Sequence, residues 1–231
     1  MELTDTAHAI NVNDVATAPL TLRLTEIFFS LQGESRTVGL PTVFIRLTGC
    51  PLRCGYCDTT YAFQGGKHWS LDAIIAEVAQ YRTRYVTVTG GEPLAQKGVT
   101  VLLTRLCDAG YEASLETSGA LDISPVDPRV SRVMDLKTPS SGEVVKNCYA
   151  NIPLLTAHDQ LKFVIANLED YRWSMEMLQR YQLNERCEVL FSPVHDELPP
   201  RELAEWILRD QLPVRMQLQL HKYLWGNVPG R

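Results

Sequence analysis

The chain has 231 residues, 45% of them hydrophobic, and a formal net charge of −5. This length and apolar content suit one compact domain of α/β type. The negative charge provides no basic footprint for nucleic-acid binding, and no apolar run approaches the roughly 18–20 residues of a membrane span. We therefore expect neither a nucleic acid nor a membrane as partner.

The first 20 residues carry acidic side chains early and contain no continuous apolar stretch. They resemble neither a signal peptide nor an Arg-rich transit peptide. We predict a poorly ordered leader over residues 1–20 and a single domain over residues 21–231. Without an export signal, the cytoplasm is the expected compartment, where thiols stay reduced.

Along the chain, short β-branched runs alternate with amphipathic stretches. The predicted strands span residues 23–28, 43–47, 85–89, 113–116, 133–136, 161–165, 188–192 and 215–220. The predicted helices span residues 71–82, 99–109, 168–181 and 201–211, with Ser70 as an N-cap and Gly110 as a C-cap. This alternation favours a parallel sheet built from right-handed crossovers.

The segment between residues 116 and 133 contains Pro125 and Pro128 and is a poor helix. A complete eight-fold barrel needs about 250 residues and a helix after every strand. The chain has fewer predicted helices than that. We therefore predict an incomplete TIM-type barrel, open on one side, with about six parallel core strands and a reduced set of helices.

Three of the six cysteines, Cys50, Cys54 and Cys57, lie within eight residues in a C-x3-C-x2-C spacing. Thiolates are the usual ligands of iron–sulfur clusters, and three of them leave one iron of a cubane open. A structural zinc site needs a fourth ligand, and His68 is too far along the chain to match a common zinc module. A redox dithiol would leave Cys50 unexplained. The cluster is the favoured interpretation, with zinc and dithiol as alternatives.

The cysteine triplet, with Tyr56 before its third cysteine, resembles the radical S-adenosylmethionine (SAM) superfamily. The run TGGEP at residues 89–93 resembles that superfamily's second motif, where Glu92 is placed to hold the cationic amino group of SAM. Glycines let backbone approach a ligand closely, although GGEP is also a good turn that opens a helix.

Further segments narrow the resemblance: FFSLQGES, VFIRLTGC, CDTTYAF, LETSG, DLKTPSSG and LHKYLWG. Together they resemble the 7-carboxy-7-deazaguanine synthases of queuosine biosynthesis. The resemblance implies a lyase with a 4Fe-4S cluster, SAM and Mg²⁺. In that family a 5′-deoxyadenosyl radical takes a hydrogen from 6-carboxy-5,6,7,8-tetrahydropterin, the ring contracts, ammonia leaves and SAM is re-formed.

The same resemblance implies a substrate site and a magnesium site. Arg46 has a donor fork suited to a carboxylate, and Gln32 and Glu34 match the amide-and-amine edge of a pterin. Thr59 matches the magnesium-ligating position. The substrate-binding set is Leu31, Gln32, Gly33, Glu34, Arg46, Thr89, His221 and Arg231, the last through the C-terminal carboxylate. As alternatives, Arg46 is an exposed strand charge, and Gln32, Glu34, Asp58 and Thr59 are turn residues.

Sites in barrel-like folds lie at the C-terminal ends of the strands, where solvated charges are also common. The residues expected to contact SAM are Tyr56, Cys57, Asp58, Gly91, Glu92, Glu116, Ser118, Lys137, Ser140, Ser141 and Ser192. The segment LKFVIAN lacks the glycine that many radical SAM enzymes carry on their fifth core strand.

Partners implied by the resemblance are the pterin and an electron donor such as flavodoxin or ferredoxin, and we expect a homodimer. One rival is a glycyl-radical activating enzyme, which would need a protein partner instead of a pterin pocket. Another is a metal-stabilised binding module without chemistry. Arg46 with Gln32 and Glu34 favours a small anionic substrate.

Overall fold

The computed structural model describes residues 20–230. The strands of this range are β1 (Thr21–Leu31), β2 (Pro41–Leu47), β3 (Lys67–Ser70), β4 (Tyr85–Gly90), β5 (Glu112–Thr117), β6 (Ser131–Asp135), β7 (Gln160–Ile165), β8 (Glu188–Pro193) and β9 (Arg215–Met216). The helices are α1 (Leu71–Val78), α2 (Val99–Asp108), α3 (Leu168–Arg180), α4 (Pro200–Arg209) and α5 (Leu220–Trp225). Within the described range, all the strands belong to one sheet in the order β3-β1-β2-β4-β5-β6-β7-β8-β9.

In this sheet order, every neighbouring pair from β2 through β4 to β9 is parallel. Strand β1 pairs antiparallel with β2 and with β3 and extends one edge. The predicted incomplete barrel is confirmed, with six parallel strands of five to seven residues and the two-residue β9 at the other edge. No helix lies between β5 and β6, as the prolines of that segment predict.

Buried apolar side chains form two groups on the helix-covered face of the sheet. One group joins β1, β2, β4 and β5 to α1 and α2. The other joins β6, β7 and β8 to α3 and α4. Helices α1 to α4 therefore each bury an apolar stripe against the sheet, as in right-handed crossovers.

The opposite face of the parallel strands faces the barrel interior. On β2, Val43, Ile45 and Leu47 pack in the helix-side core, whereas Phe44 and Arg46 line a cleft. The same alternation holds on β7, where Leu161, Phe163 and Ile165 are core residues and the residues between them line the cleft. The strand period thus decides which side chains reach the interior.

Local capping follows the predicted pattern. The Ser70 side chain accepts a hydrogen bond from the Ala73 backbone N–H at 3.2 Å and caps α1. Gly110 follows α2 with φ +87°, a left-handed conformation that glycine adopts without a Cβ penalty. Helix α1 ends at Val78, four residues before its predicted end.

Two predictions at the sheet edges are wrong. Strand β3 was not predicted, because its sequence KHWS has no apolar alternation; it pairs with residues Thr21–Leu24 at the edge. The predicted strand over residues 215–220 ends at Met216. The chain then leaves the sheet, because the Leu220 N–H donates to the Gly33 carbonyl at 2.9 Å and opens α5.

In the described part of the chain, no helix is long and apolar enough to cross a membrane. The predicted leader, apart from Leu20, lies outside the described residues, and so does Arg231. The division into a leader and one domain stays a prediction.

Candidate active site

A cleft of about 730 Å³ lies at the C-terminal ends of the parallel strands. Its lining combines the cysteine loop after β2, the inward side chains of β2 and β4 to β7, the loop after β1, and the chain from Gln219 to Gly230. Parallel strands deliver their C-terminal ends to one side of a barrel, so residues far apart in sequence meet there.

Cys50, Cys54 and Cys57 all line this cleft, on one loop. The loop is fixed by backbone hydrogen bonds: the Gly49 N–H donates to Ala62 at 2.8 Å, and the Gly55 N–H donates to Ser141 at 3.1 Å. The Leu52 N–H donates to the Cys50 sulfur at 3.4 Å. The loop therefore presents three free thiols to the cleft on a backbone anchored at two points.

This arrangement fits a cubane cluster. Among residues 20–230, no three His, Cys, Asp or Glu side chains converge closely enough to share one metal ion. In a cubane each thiolate binds a different iron, so the sulfurs need only surround the cluster. A thiolate-only donor set on one loop matches that requirement.

The TGGEP segment packs directly against the cysteine loop. A Cβ on Gly91 would lie 2.1 Å from the Gly49 carbonyl oxygen and 3.0 Å from the Cys50 Cβ, so only glycine fits there. The Glu92 N–H donates to the Gly49 carbonyl at 2.8 Å. The glycines thus permit close packing of the loop, and Gly91 itself lines the cleft.

Glu92 differs from its expected position. Its carboxylate is fully buried and accepts hydrogen bonds from Thr117 Oγ1, the Leu94 N–H, and the Ser118 N–H and hydroxyl. In the described structure it does not line the cleft. Its carboxylate joins the end of β5 to the TGGEP turn.

Three further predicted SAM contacts also lie outside the lining in the described range. Ser141 and Ser192 are buried, with 1% and 2% of their surface exposed, and Ser140 is exposed. The Ser141 hydroxyl donates to the Thr138 carbonyl, and its own carbonyl accepts from Gly55. The Ser141 carbonyl therefore supports the cysteine loop, whereas Ser140 is held by Asp170 and Asn167. Tyr56, Asp58, Glu116, Ser118 and Lys137 do line the cleft.

The cleft also has a polar wall, formed by Gln32, Glu34, Thr89 and Glu116. Gln32 Nε2 donates to Thr87 Oγ1 at 3.0 Å, and the Glu34 N–H donates to Gln32 Oε1 at 3.1 Å. Thr89 Oγ1 donates to Glu116 Oε2 at 2.8 Å. Each of these side chains is held by a neighbour, so the wall presents a fixed pattern of donors and acceptors.

The two carboxylates of this wall have opposite pKa shifts. Burial and the neighbouring Glu34 charge raise the pKa of Glu116. Burial also acts to raise the pKa of Glu34, but Lys162 outweighs it and holds this pKa below its usual value. The wall therefore carries one carboxylate held as an anion beside one that binds a proton more readily.

Arg46 lines the cleft, where it pairs with a carboxylate of this chain. Its Nε lies 2.7 Å from Glu26 Oε1, on the neighbouring strand β1. Its guanidinium also lies over the rings of Phe28 and Tyr61, at 5.4 and 5.8 Å from their centroids. Glu26 thus satisfies one side of the fork.

Thr59 and Asp58 follow the third cysteine and line the cleft together. Thr59 Oγ1 donates to Asp58 Oδ1 at 2.8 Å, and Lys222 Nζ lies 3.0 Å from Asp58 Oδ2. Although burial opposes it, the Lys222 ammonium holds the pKa of Asp58 well below its usual range. Two oxygen-bearing side chains, one of them an anion, are therefore available beside the cysteine loop.

His221 and Lys222 lie in α5, whereas the predicted strand over residues 215–220 would have put them at a strand end. A Cβ on Gly33 would lie 2.2 Å from His221 Nδ1, so Gly33 is needed for α5 to pack here. Burial lowers the pKa of His221. Residues Gly226–Gly230 continue along the cleft, whereas the predicted carboxylate of Arg231 lies outside the described residues.

Several lining residues were not predicted. The polar or charged ones are Tyr61, Thr117, Asp135, Lys162, His195, Asp196, Glu197, Gln219 and Asn227. The alternation that indicated Arg46 also applies to Lys162, a lone charge between Leu161 and Phe163. Gln219 gave no comparable signal, because its position depends on where the chain leaves β9.

Comparisons with known proteins agree with this geometry. The family model described as "Radical SAM superfamily" matches residues 44–208. The 7-carboxy-7-deazaguanine synthase of Chlorobaculum tepidum is 47% identical over 89% of this chain and 94% of its own length. The enzyme of the same name from Koribacter versatilis is 41% identical over 88% of this chain and 97% of its own.

A solved structure shares the fold. The crystal structure of QueE from Escherichia coli superposes with a TM-score of 0.72 at 22% identity, covering 87% of this chain and 95% of that one. The family match and the two relatives decide the family. The chain belongs to the radical SAM superfamily and, within it, to the 7-carboxy-7-deazaguanine synthases.

A radical SAM 7-carboxy-7-deazaguanine synthase is an enzyme whose cofactors are a 4Fe-4S cluster and SAM. This membership excludes the binding module without chemistry. It also favours the synthase over the glycyl-radical activating enzyme, since the relatives that match nearly the whole chain carry the synthase name.

Proposed function

We propose that the cleft converts 6-carboxy-5,6,7,8-tetrahydropterin into 7-carboxy-7-deazaguanine and ammonia. The observation that carries this proposal is one cleft with two chemically different walls. One wall is the cysteine loop, and the other is the hydrogen-bonded set of Gln32, Glu34, Arg46 and Glu116. Family membership supports the same reaction.

On the polar wall, Arg46 receives the substrate carboxylate. Glu26 occupies its Nε, which leaves the two terminal guanidinium nitrogens as donors. Gln32, Glu34 and Glu116 offer acceptors, and Gln32 also donors, to the amide-and-amine edge of the pterin. Thr89 orients Glu116 through its 2.8 Å hydrogen bond. Leu31, Gly33 and His221 complete the described part of the substrate-binding set.

On the other wall, Cys50, Cys54 and Cys57 hold the cluster. The bound cluster and SAM together supply a 5′-deoxyadenosyl radical that takes a hydrogen atom from the substrate. Tyr56, Gly91, Ser118 and Lys137 line the space where SAM binds. The Lys137 ammonium stays charged, since its pair with Asp135 at 2.9 Å raises its pKa despite burial.

Magnesium is the third component. Thr59 would hold this hard cation through its hydroxyl, and oxygens of the substrate carboxylate and of water would suit the remaining positions. Asp58 accepts from Thr59 and is itself an anion. This pairing supports a divalent cation between the two walls.

A glycyl-radical activating enzyme is the second candidate, since it shares the cysteine loop. The two differ in their use of SAM: the synthase re-forms it, and the activating enzyme consumes it. The polar wall favours the synthase, because an ordered set of side chains for a small heterocycle serves no purpose for a protein glycine.

Anaerobic incubation with the pterin, SAM and a strong reductant tests the proposal by mass spectrometry. We expect a product lighter than the substrate by one ammonia, in many turnovers per SAM. Cys57→Ala is expected to abolish it, whereas Cys148→Ala, at another partly exposed cysteine, keeps it. SAM cleavage without pterin-derived product in the wild type would contradict the proposal.

Three further points belong to this proposal. The electron donor is a flavodoxin or ferredoxin, as radical SAM enzymes need an external reductant. The enzyme is a homodimer, to be tested by sedimentation. It works in the cytoplasm, in keeping with six cysteines that are all free.

A further inference from the structure

Lys162 lies on β7 with its ammonium inside the cleft. Its Nζ donates to Glu34 Oε2 at 2.5 Å and lies 4.0 Å from Asp135 Oδ2. Its side chain is 13% exposed, as is that of Glu34. A buried ammonium is costly unless it is paired, so this lysine and Glu34 form one unit.

Glu34 is held from two sides. Lys162 meets one carboxylate oxygen, and Gln219 Nε2 donates to the other at 2.8 Å. Each carboxylate oxygen has two lone pairs, so both keep an acceptor site for a ligand. The carboxylate is thereby fixed in direction by donors on β7 and on the chain before α5.

The charged surroundings of Glu34 come from four elements. They are Lys162 on β7, Glu116 on β5, Asp135 on β6 and His221 on α5. The neighbouring Glu116 disfavours a negative Glu34, and burial lowers the pKa of His221. Lys162 is therefore the main source of positive charge at this carboxylate.

We propose that Lys162 is a positioning residue for substrate binding: it keeps Glu34 an ionised, oriented acceptor for the adjacent N–H donors of the pterin edge. This inference rests on the proposed function. A carboxylate without a proton offers acceptors only, which match a ring N–H beside an exocyclic amino group. Without the ammonium, Glu34 would hold a proton and present an O–H to those donors.

Anaerobic calorimetry of pterin binding to the cluster-containing enzyme tests this proposal. Lys162→Met removes charge and hydrogen bond, and Lys162→Arg keeps the charge. At neutral pH we expect Lys162→Met to weaken pterin binding about tenfold or more, the effect of one charge-assisted hydrogen bond. Lys162→Arg is expected to recover much of the lost affinity for the pterin. Lys67→Met, the same change at an exposed lysine of β3, leaves binding unaltered.

The pH dependence separates this role from general packing. In Lys162→Met the pKa of Glu34 rises, so pterin binding weakens as pH falls through that raised value and recovers at higher pH. The wild type, with its lowered Glu34 pKa, stays flat over that range. Carbon-13 NMR of labelled glutamate, assigned with Glu34→Gln, follows the shift directly.

If Lys162→Met does not fold, Lys162→Gln gives the same comparison with a neutral donor of similar reach. Wild-type-like affinity and a flat pH profile in the folded neutral variant would overturn the proposal. Failure of the proposed function is a different result, since the wild type itself would then not bind or convert the pterin.

Discussion

The guanidinium of Arg46 has more donors than Glu26 uses. Glu26 meets Nε at 2.7 Å, and the Phe28 and Tyr61 rings cover part of its surface. These contacts fix the direction in which the terminal nitrogens point. Arg46 is thereby pre-organised, and a planar pair of donors in a buried setting binds a carboxylate at a small further entropic cost.

Arg46→Lys keeps the charge and removes the planar fork. Loss of one charge-assisted hydrogen bond costs about 1.5–3 kcal/mol, which predicts a loss in kcat/KM for the pterin of roughly 10- to 150-fold. The cluster absorbance should not change. Steady-state kinetics measures this loss. Arg201→Lys, the same change at an exposed arginine of α4, is the control. Normal pterin turnover in Arg46→Lys would show that Arg46 does not hold the substrate carboxylate.

Thr59→Val keeps the shape of the side chain and removes its hydroxyl. If Thr59 ligates Mg²⁺, turnover falls and no longer responds to added Mg²⁺, while the cluster spectrum stays intact. Magnesium titrations of the rate measure this, with Thr60→Val, at the exposed next residue, as the matched control. An unaltered magnesium response in Thr59→Val shows that the hydroxyl is not a ligand.

Single residues were predictable where a sequence pattern isolates them. Arg46 stands alone among apolar neighbours on a strand, and alternation places it inward. Glu92 shows the limit, because its environment depends on Thr117 and Ser118, which reach it from another strand. Ser141 was expected at the ligand, but in the structure its carbonyl accepts a hydrogen bond from the cysteine loop. A one-dimensional pattern identifies a loop more readily than the direction of each side chain in it.

At the scale of elements, the cysteine loop depends on its neighbours. Backbone hydrogen bonds join it to the turn before β3, to TGGEP and to the segment after β6. Mutations in those segments therefore act on the cluster without touching it.

Reconstituted protein is predicted to hold about four iron and four sulfide per chain. Any of Cys50→Ala, Cys54→Ala or Cys57→Ala should abolish SAM cleavage. Cys107, Cys148 and Cys187 should be dispensable for this reaction. Replacing Cys187 should lower the stability of the fold, because this side chain is only 6% exposed and lies in the core. Iron and sulfide analysis measures the cluster content, and a SAM-cleavage assay measures the effect of each substitution. Stoichiometric zinc without iron after anaerobic purification would contradict the cluster.

Helix α5 depends on Gly33. A Cβ there meets the His221 ring and comes within 3.2 Å of the His221 backbone nitrogen. Gly33→Ala should displace the ring and weaken the bond from the Leu220 N–H to Gly33. Weakening this hydrogen bond by about 0.5–1.5 kcal/mol should speed amide exchange in residues 220–226 up to about tenfold. Hydrogen-exchange mass spectrometry measures it, together with KM for the pterin. Unaltered protection would show that α5 packs independently of Gly33.

The elements with strong periodicity were predicted well, and the edges were not. The parallel strands and α1 to α4 follow from apolar runs and caps. Helix α5 was missed, since its residues LHKYLW follow VRMQLQ, which alternates apolar and polar residues as a strand does, and its start is set by contacts with Gly33 and Glu34. Tertiary contacts decide such short segments.

At the scale of the whole molecule, the open barrel brings two walls together. The cysteine loop lines the same cleft as Arg46 and the inward carboxylates of the strands. The family resemblance and the strand ends predicted that these residues would meet. The pairs Arg46–Glu26, Lys162–Glu34 and Lys222–Asp58 were not predictable, because each joins residues of different elements.

The central claim is that the pterin and SAM bind in this one cleft and exchange hydrogen there. Anaerobic turnover of ring-deuterated 6-carboxy-5,6,7,8-tetrahydropterin, with mass spectrometry of the SAM recovered, tests it most directly. We expect deuterium in the recovered SAM and a product lighter than the substrate by ammonia. Product formation with unlabelled SAM, or SAM consumed one for one, would contradict the account.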